Sequence, residues 1–235
     1  MHEEIDVSSP RWQLAVRLRD VIERRWPAEV QAIGVHGSLA HGDDHDGSDV
    51  NLLVVKYRPA AGPRPALRRV EGILVDLEVT TADEGMRRAR ELTSRWPLEA
   101  DRYVTTRPLH DPNGWFGKLR DTHLARLAET RPPEFTALAR HNWALASAAH
   151  GRAVRLAEWY ETDAALVMIA ESRLHAALVT GLLTRTYFRN AADAVRRTGV
   201  AGADMQELGA VLKEQAGELS ARGQPVDGNI GLLFE

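Results

Sequence analysis

Hydrophobic positions along the chain change their period once, near residue 131. Before that point, short apolar runs are interleaved with helical patterns. Trp12, Leu14, Ala15, Leu18, Val21 and Ile22 recur at three-to-four spacing behind Ser8-Ser9-Pro10, which predicts a capped amphipathic helix ended by Trp26-Pro27. Val30 to Val35, Val50 to Val55 and Ile73 to Val79 predict three short strands, with Arg58-Pro59-Ala60-Ala61-Gly62-Pro63 breaking the pattern after the second. Thr81-Ala82-Asp83-Glu84 predicts the start of a helix that runs to about Trp96, where Pro97 stops it, and another helix spans about Asn113 to Ala128. From Pro132 onward, Ala, Leu and Arg dominate and strand signals vanish, so helices are expected near 133–158, 163–186, 189–198 and 203–221. The pattern therefore predicts an α+β chain of two domains. Residues 1–131 form a short mixed sheet flanked by helices, residues 132–235 form an all-helical bundle, and the boundary falls at Arg131-Pro132-Pro133.

A length of 235 residues is enough for two such cores. The formal charge is -3, and Lys and Arg are scattered among Asp and Glu, so no basic stripe tracks a phosphate backbone and a nucleic-acid partner is disfavoured. The absence of cysteine excludes disulfides, thiolate metal sites and thiol nucleophiles. The longest apolar run, around Ala176 to Leu183, is too short to span a bilayer, and Met1-His2-Glu3-Glu4 does not read as a signal peptide. A cytoplasmic chain with no membrane partner is expected.

The chemistry concentrates between residues 32 and 51. The run Ile33-Gly34-Val35-His36-Gly37-Ser38 delivers Gly37-Ser38 from a strand to a turn or short helix, where exposed N–H groups and a small hydroxyl can hold a phosphate. Asp49 then begins the next strand, and because side chains alternate, Asp49 and Asn51 point to one side, as metal donors must. Val75-Asp76-Leu77-Glu78-Val79 adds two carboxylates on one face of a third strand. Each piece alone also fits a plain turn, a strand cap or a half-exposed strand. Their order and spacing point to a nucleotide site.

Together these segments resemble the nucleotidyltransferase superfamily, whose signature is Gly-Ser, a spacer, Asp-x-Asp or Asp-x-Glu, and a further acid on a later strand. More narrowly, Val30 to Gly37, Trp96-Pro97-Leu98, Pro108-Leu109-His110-Asp111 and the helical C-terminal half look like the kanamycin nucleotidyltransferase family. The resemblance implies transfer of AMP from ATP, with Mg²⁺, to a hydroxyl of a small molecule such as an aminoglycoside or amino sugar, in a homodimer. It implies that Gly37 and Ser38, with Ser48, bind the nucleotide, and that Asp49, residue 51 and Asp76 hold Mg²⁺.

The chain departs from the family at two positions. Asn51 stands where the family has an acid, and Glu78, two residues past Asp76 on the same face, is expected to supply the missing carboxylate. Ala148 stands where the general-base glutamate is expected, Arg152 replaces a phosphate-contacting lysine, and His141, two turns away on the same helical face, is the remaining candidate base. These changes leave room for two other readings: a different small-molecule biosynthetic enzyme on the same scaffold, or a non-catalytic binding protein.

Several further features have a functional and a plain reading. His36, His41 and His45 crowd the phosphate loop as base, metal ligand or solvated side chains. Asp43-Asp44-His45-Asp46 attracts a cationic substrate or is only a soluble turn. Glu171 and His175 line a cleft or form a surface pair. Trp143, Trp159, Tyr160 and Leu174 to Leu183 have the spacing of a bundle core or a dimer contact.

Overall fold

A computed structural model describes residues 6–228 and 230; the Met1-His2-Glu3-Glu4 start lies outside the described residues. The chain divides into two compact units, residues 1–91 with 101–129 and residues 92–100 with 130–235.

The first unit is a five-stranded mixed sheet with helices on both faces. Helix α1 (Pro10–Arg25) starts where Ser9 caps the Arg11 N–H and Pro10 sits in the first turn, which needs no N–H. Strands β1 (Val30–His36), β2 (Val50–Lys56), β3 (Ala66–Val70), β4 (Ile73–Thr81) and β5 (Arg107–His110) lie in the order β3-β4-β2-β1-β5. Only β2 and β4 run parallel. Between β1 and β2 lies the single-turn helix α2 (Ser38–His41). Helix α3 (Ala82–Ala89), capped by Thr81, and helix α5 (Trp115–Glu129) follow β4 and β5.

The sheet's two faces separate cleanly. Val50, Leu52 and Val54 of β2 join Val35 and Val75 against Leu14 and Ile22 of α1. Leu53 and Val55 face the other way, with Ala32, against Ala89, Trp115, Phe116 and Leu119. Both faces of β2 are therefore covered, which is why it reads as a continuous apolar run broken only by Asn51. On the second face β1 and helix α5 pack so closely that a Cβ at Gly34 would meet the Phe116 ring at 2.7 Å.

Two strands escape the hydrophobic pattern. β3 is an edge strand whose first four residues are all exposed, two of them arginines. β5 is the opposite edge, where Pro108 is tolerated. The turn joining β3 to β4 places Glu71 and Gly72 at φ 52 and φ 80, the pair of positive values that a tight hairpin turn requires.

The expected helix from Thr81 to Trp96 is two helices. Helix α3 ends at Ala89, and helix α4 (Trp96–Thr105) begins at Trp96-Pro97, so Pro97 opens a helix where it was expected to close one. α4 also straddles the division between units: residues 92–100 belong to the helical unit and residues from Asp101 to the sheet unit. The reason is packing within the helical unit. Trp96 is buried edge-on to Phe135, with centroids 5.4 Å apart, and the Phe188 N–H donates to the Pro97 carbonyl at 2.7 Å.

The second unit is built on an antiparallel pair, α6 (Pro132–Glu158) and α7 (Thr162–Leu183), with α8 (Ala191–Arg197) and α9 (Met205–Ala221). Ala139, Ala146, Ala149 and Ala153 of α6 and Ala165, Ser172 and Ala176 of α7 are buried, small residues that let two helices approach closely. The Ser172 hydroxyl donates across that seam to the Ala146 carbonyl at 2.8 Å. Helix α7 is, by length and composition, apolar enough to cross a membrane, longer than the short run expected there; half of its 18-residue window is buried inside the structure. Trp143 is half-buried and donates to the Leu212 carbonyl, whereas Trp159 and Tyr160 are 67% and 92% exposed at the α6–α7 turn and are not core.

Buried histidines set a pH limit on this fold. His123 of α5 is fully buried beside Tyr103 and hydrogen-bonds the Ala89 carbonyl; burial pushes its pKa down, as it does for His175 in the helical unit. The unfolded chain binds protons first, near the ordinary histidine value of about 6.5, so stability is retained above that pH and falls as pH drops below it. Thermal melts are expected to give a lower Tm at pH 5.5 than at pH 7.5, with His123→Gln narrowing the gap. An equal or higher Tm at pH 5.5 would contradict this.

Candidate functional site

Strand register assembles the site. In the pairing of β1, β2 and β4, Asn51 stands opposite His36 on one side and Asp76 on the other. One step down the same face, Leu53 stands between Gly34 and Glu78. The sheet thus carries a row His36–Asn51–Asp76 above a row Gly34–Leu53–Glu78, and Asp49 precedes Asn51 by two residues on that face. Sequence reasoning placed Asp49, Asn51, Asp76 and Glu78 on one face, and the parallel pairing brings Asp76 beside Asn51.

The loop at the end of β1 is fixed from several sides. Gly37 takes φ 73, and a Cβ there would lie 3.0 Å from Asn51 Nδ2, so both the backbone and the crowding demand glycine. Arg107 of β5 donates to the Ala40 carbonyl at 2.6 Å. His41 points its Nε2 at both oxygens of Asp101, 3.0 and 3.1 Å away, with both side chains about nine-tenths buried. At the other end of the loop, the buried Arg11 donates from Nε to the Ser48 carbonyl at 2.8 Å and from Nη2 to the Asp46 carbonyl. Ser9 donates to Asp44 at 2.6 Å. The Ser48 hydroxyl accepts from the His45 N–H at 3.1 Å and closes the turn just before Asp49. Two of the loop's acids, Asp44 and Asp46, are therefore engaged with the start of α1.

Charge is distributed unevenly across the face. Asn51 Nδ2 donates to Asp49 Oδ1 at 3.0 Å. Asp76 has its pKa raised, first by burial and then by the charge of Glu78, with His36 opposing and Asp49 adding a smaller upward push. A cation beside Asp49 and Asp76 would relieve that crowding. Glu78 is not available in the same way: its Oε2 accepts from Arg102 Nη1 of α4 at 3.1 Å, and its Oε1 is 3.8 Å from His36 Nε2. Among the described residues no three His, Asp or Glu side chains form a metal cage. The expected four-donor set of Asp49, Asn51, Asp76 and Glu78 thus resolves into an acid pair, an amide that donates to one of them, and an ion-paired glutamate.

His36, Asp101 and Arg102 complete the site and carried weak or no signal in the sequence. Burial pushes the His36 pKa down, Glu78 acts to raise it and Arg102 to lower it further. Below Glu78 the face runs into a half-open cleft lined by Leu53, Thr80, Arg102, Tyr103, Trp115 and Leu119. At about 40 Å³ it holds a few waters and not a sugar ring.

The remaining candidates belong to the helical unit. Arg152 and His141 lie exposed on α6, as does Ala148. His175 Nδ1 meets Asn142 Oδ1 at 2.9 Å, Asn142 Nδ2 donates to the Ser94 carbonyl at 2.7 Å, and Glu171 acts to raise the His175 pKa against burial. His175 is thus a bonded, half-buried side chain rather than one of a bare surface pair.

No protein-family profile and no curated protein matches the chain. Among solved structures the chain is similar to a nucleotidyltransferase-like protein from Exiguobacterium sibiricum 255-15, with 15% identity over 88% of this chain and 75% of that one and a TM-score of 0.45.

The His36–Glu78–Arg102 contacts make a directional prediction. Glu78→Gln removes the largest of the charges that raise the His36 pKa, so titration of the His36 ring by NMR should show a lower pKa than in the wild type. Arg102→Met should shift it upward. Movement in the opposite sense in either variant would show that the ring does not sit where the geometry places it.

Proposed function

We propose that the sheet unit binds a nucleoside triphosphate and transfers its nucleotidyl group to a hydroxyl of a small molecule. The observation that carries this reading is Asp76 on β4 opposite Asn51 of the parallel strand β2, with Asn51 hydrogen-bonded to Asp49 just before that strand, beside the Gly37-Ser38 turn. The narrower form of the reading, supported by the sequence resemblance, is AMP transfer from ATP to an aminoglycoside or amino sugar.

In this reading the Gly37-Ser38 turn takes the terminal phosphates through backbone N–H groups that have no carbonyl partner at the start of a helix. Asp49 and Asp76 fit a magnesium ion of the kind that uses one or two carboxylates and completes its shell with phosphate oxygens and water. Mg²⁺ held there supplies neutralisation of charge on the phosphate oxygens. The acceptor oxygen forms a bond to the α-phosphorus as the bond to the leaving pyrophosphate breaks, and the hydroxyl proton departs to a base. Ala148 brings no carboxylate to the position where the resemblance expects that base, so turnover should be slower by about 10²- to 10⁴-fold than with one.

Isothermal titration of a non-hydrolysable ATP analogue with Mg²⁺ tests the reading. Wild-type protein should bind at micromolar strength, and Asp49→Ala should bind at least about tenfold more weakly, equivalent to roughly 1.4 kcal/mol. Thermal melts should show that the variant is folded. No binding by the wild type, or equal binding by a folded D49A, would remove the reading.

A further inference from the structure

We infer that the site takes one divalent cation per chain, not two, and that Asn51 is the residue that sets this number. The inference rests on the nucleotide reading above and narrows it.

Two-ion phosphoryl-transfer sites hold their cations about 3.5–4 Å apart, one at the attacking and one at the leaving oxygen. Such a pair needs carboxylates converging from several positions to offset two dipositive charges. Here the top row of the face is His36–Asn51–Asp76, one acid in three positions, with Asp49 above it. Asn51 is the central member. It turns its N–H toward Asp49 Oδ1 at 3.0 Å, presenting the positive end of the amide dipole to the carboxylate that a second cation would share. The turn leaves room for the amide there, because Gly37 has no Cβ, and one would stand only 3.0 Å from Asn51 Nδ2.

Glu78 acts on Asp76 through its charge but closes no three-acid cluster with Asp49 and Asp76. Glu78 lies one row down, opposite Leu53, and Arg102 already balances its charge at 3.1 Å. No third acid joins Asp49 and Asp76 among the described residues. Two carboxylates and a triphosphate suit one magnesium-like ion, and the position of a second is filled by an amide donor.

The test counts Mn²⁺ by electron paramagnetic resonance on the full chain, with α,β-methylene-ATP at saturation and free Mn²⁺ measured against the nucleotide-only control. Wild type should retain one Mn²⁺ per chain. Asn51→Asp, checked for folding by its melting curve, should retain two, because the new carboxylate faces Asp49 and Asp76 together. Two ions on the wild type would overturn the inference and leave the nucleotide reading standing. A folded N51D that stays at one would overturn the role given to Asn51. No Mn²⁺ retained above the control would overturn both the inference and the reading beneath it.

Discussion

The parallel pairing of β2 with β4 is the constraint on which the site depends. It sets Asn51 opposite Asp76, and therefore Asp49 and Asp76 on one face, although β2 and β3 separate them in the chain. A slip of one residue would turn Asp76 to the α1 face, among Leu14, Ile22 and Val54, and expose Val75 or Leu77 in its stead. The register is held by apolar burial on both sides of β2, so the core and the acid pair are specified by the same contacts. Burial of Val50, Leu52 and Val54 against α1 is what places Asn51 and Leu53 on the opposite face.

The remaining features of the sheet unit act on that face from its ends. Arg11 and Ser9 hold the loop that leads into Asp49, and Arg107 and Asp101 hold the turn that leads out of β1. Consecutive residues of α4, Asp101 and Arg102, reach two separate points, His41 in the turn and Glu78 on β4. The His41–Asp101 pair is about nine-tenths buried, so removing one partner would leave the other uncompensated, whereas Glu78–Arg102 is about a third exposed and partly screened by solvent. Their physical contribution is to fix positions. In the helical unit the same economy appears as a seam of alanines, where Ser172 satisfies the Ala146 carbonyl and Asn142 meets the His175 ring across it.

Much of this was legible in the sequence, and the exceptions have physical causes. The central strands and the long helices show up because burial imposes a period on them. β3 and β5 do not, since edge strands that expose arginines or contain Pro108 carry no such period. Helix α4 was hidden by Pro97, which signals a stop in a helix interior and a start in a first turn. Gly37, Asp49, Asn51 and Asp76 were readable because each sits at a strand end or within an alternating strand. Glu78 was readable as a residue on the right face but not as the partner of Arg102, which lies 24 residues away on a helix the pattern did not predict. Asp101 was likewise invisible as the partner of His41, 60 residues distant. Pairings of that kind follow from tertiary packing, and no local periodicity records them.

The central claim is that the acid pair serves nucleotidyl transfer, and its most direct test follows the fate of the phosphates. Wild-type protein would be incubated with Mg²⁺, α-labelled ATP and a panel of aminoglycosides and amino sugars, with pyrophosphate release and labelled acceptor measured together. The account predicts slow, matched formation of pyrophosphate and an AMP-bearing product with at least one acceptor. Release of inorganic phosphate with label left on ADP, or intact ATP across a broad panel of hydroxylated acceptors, would contradict it.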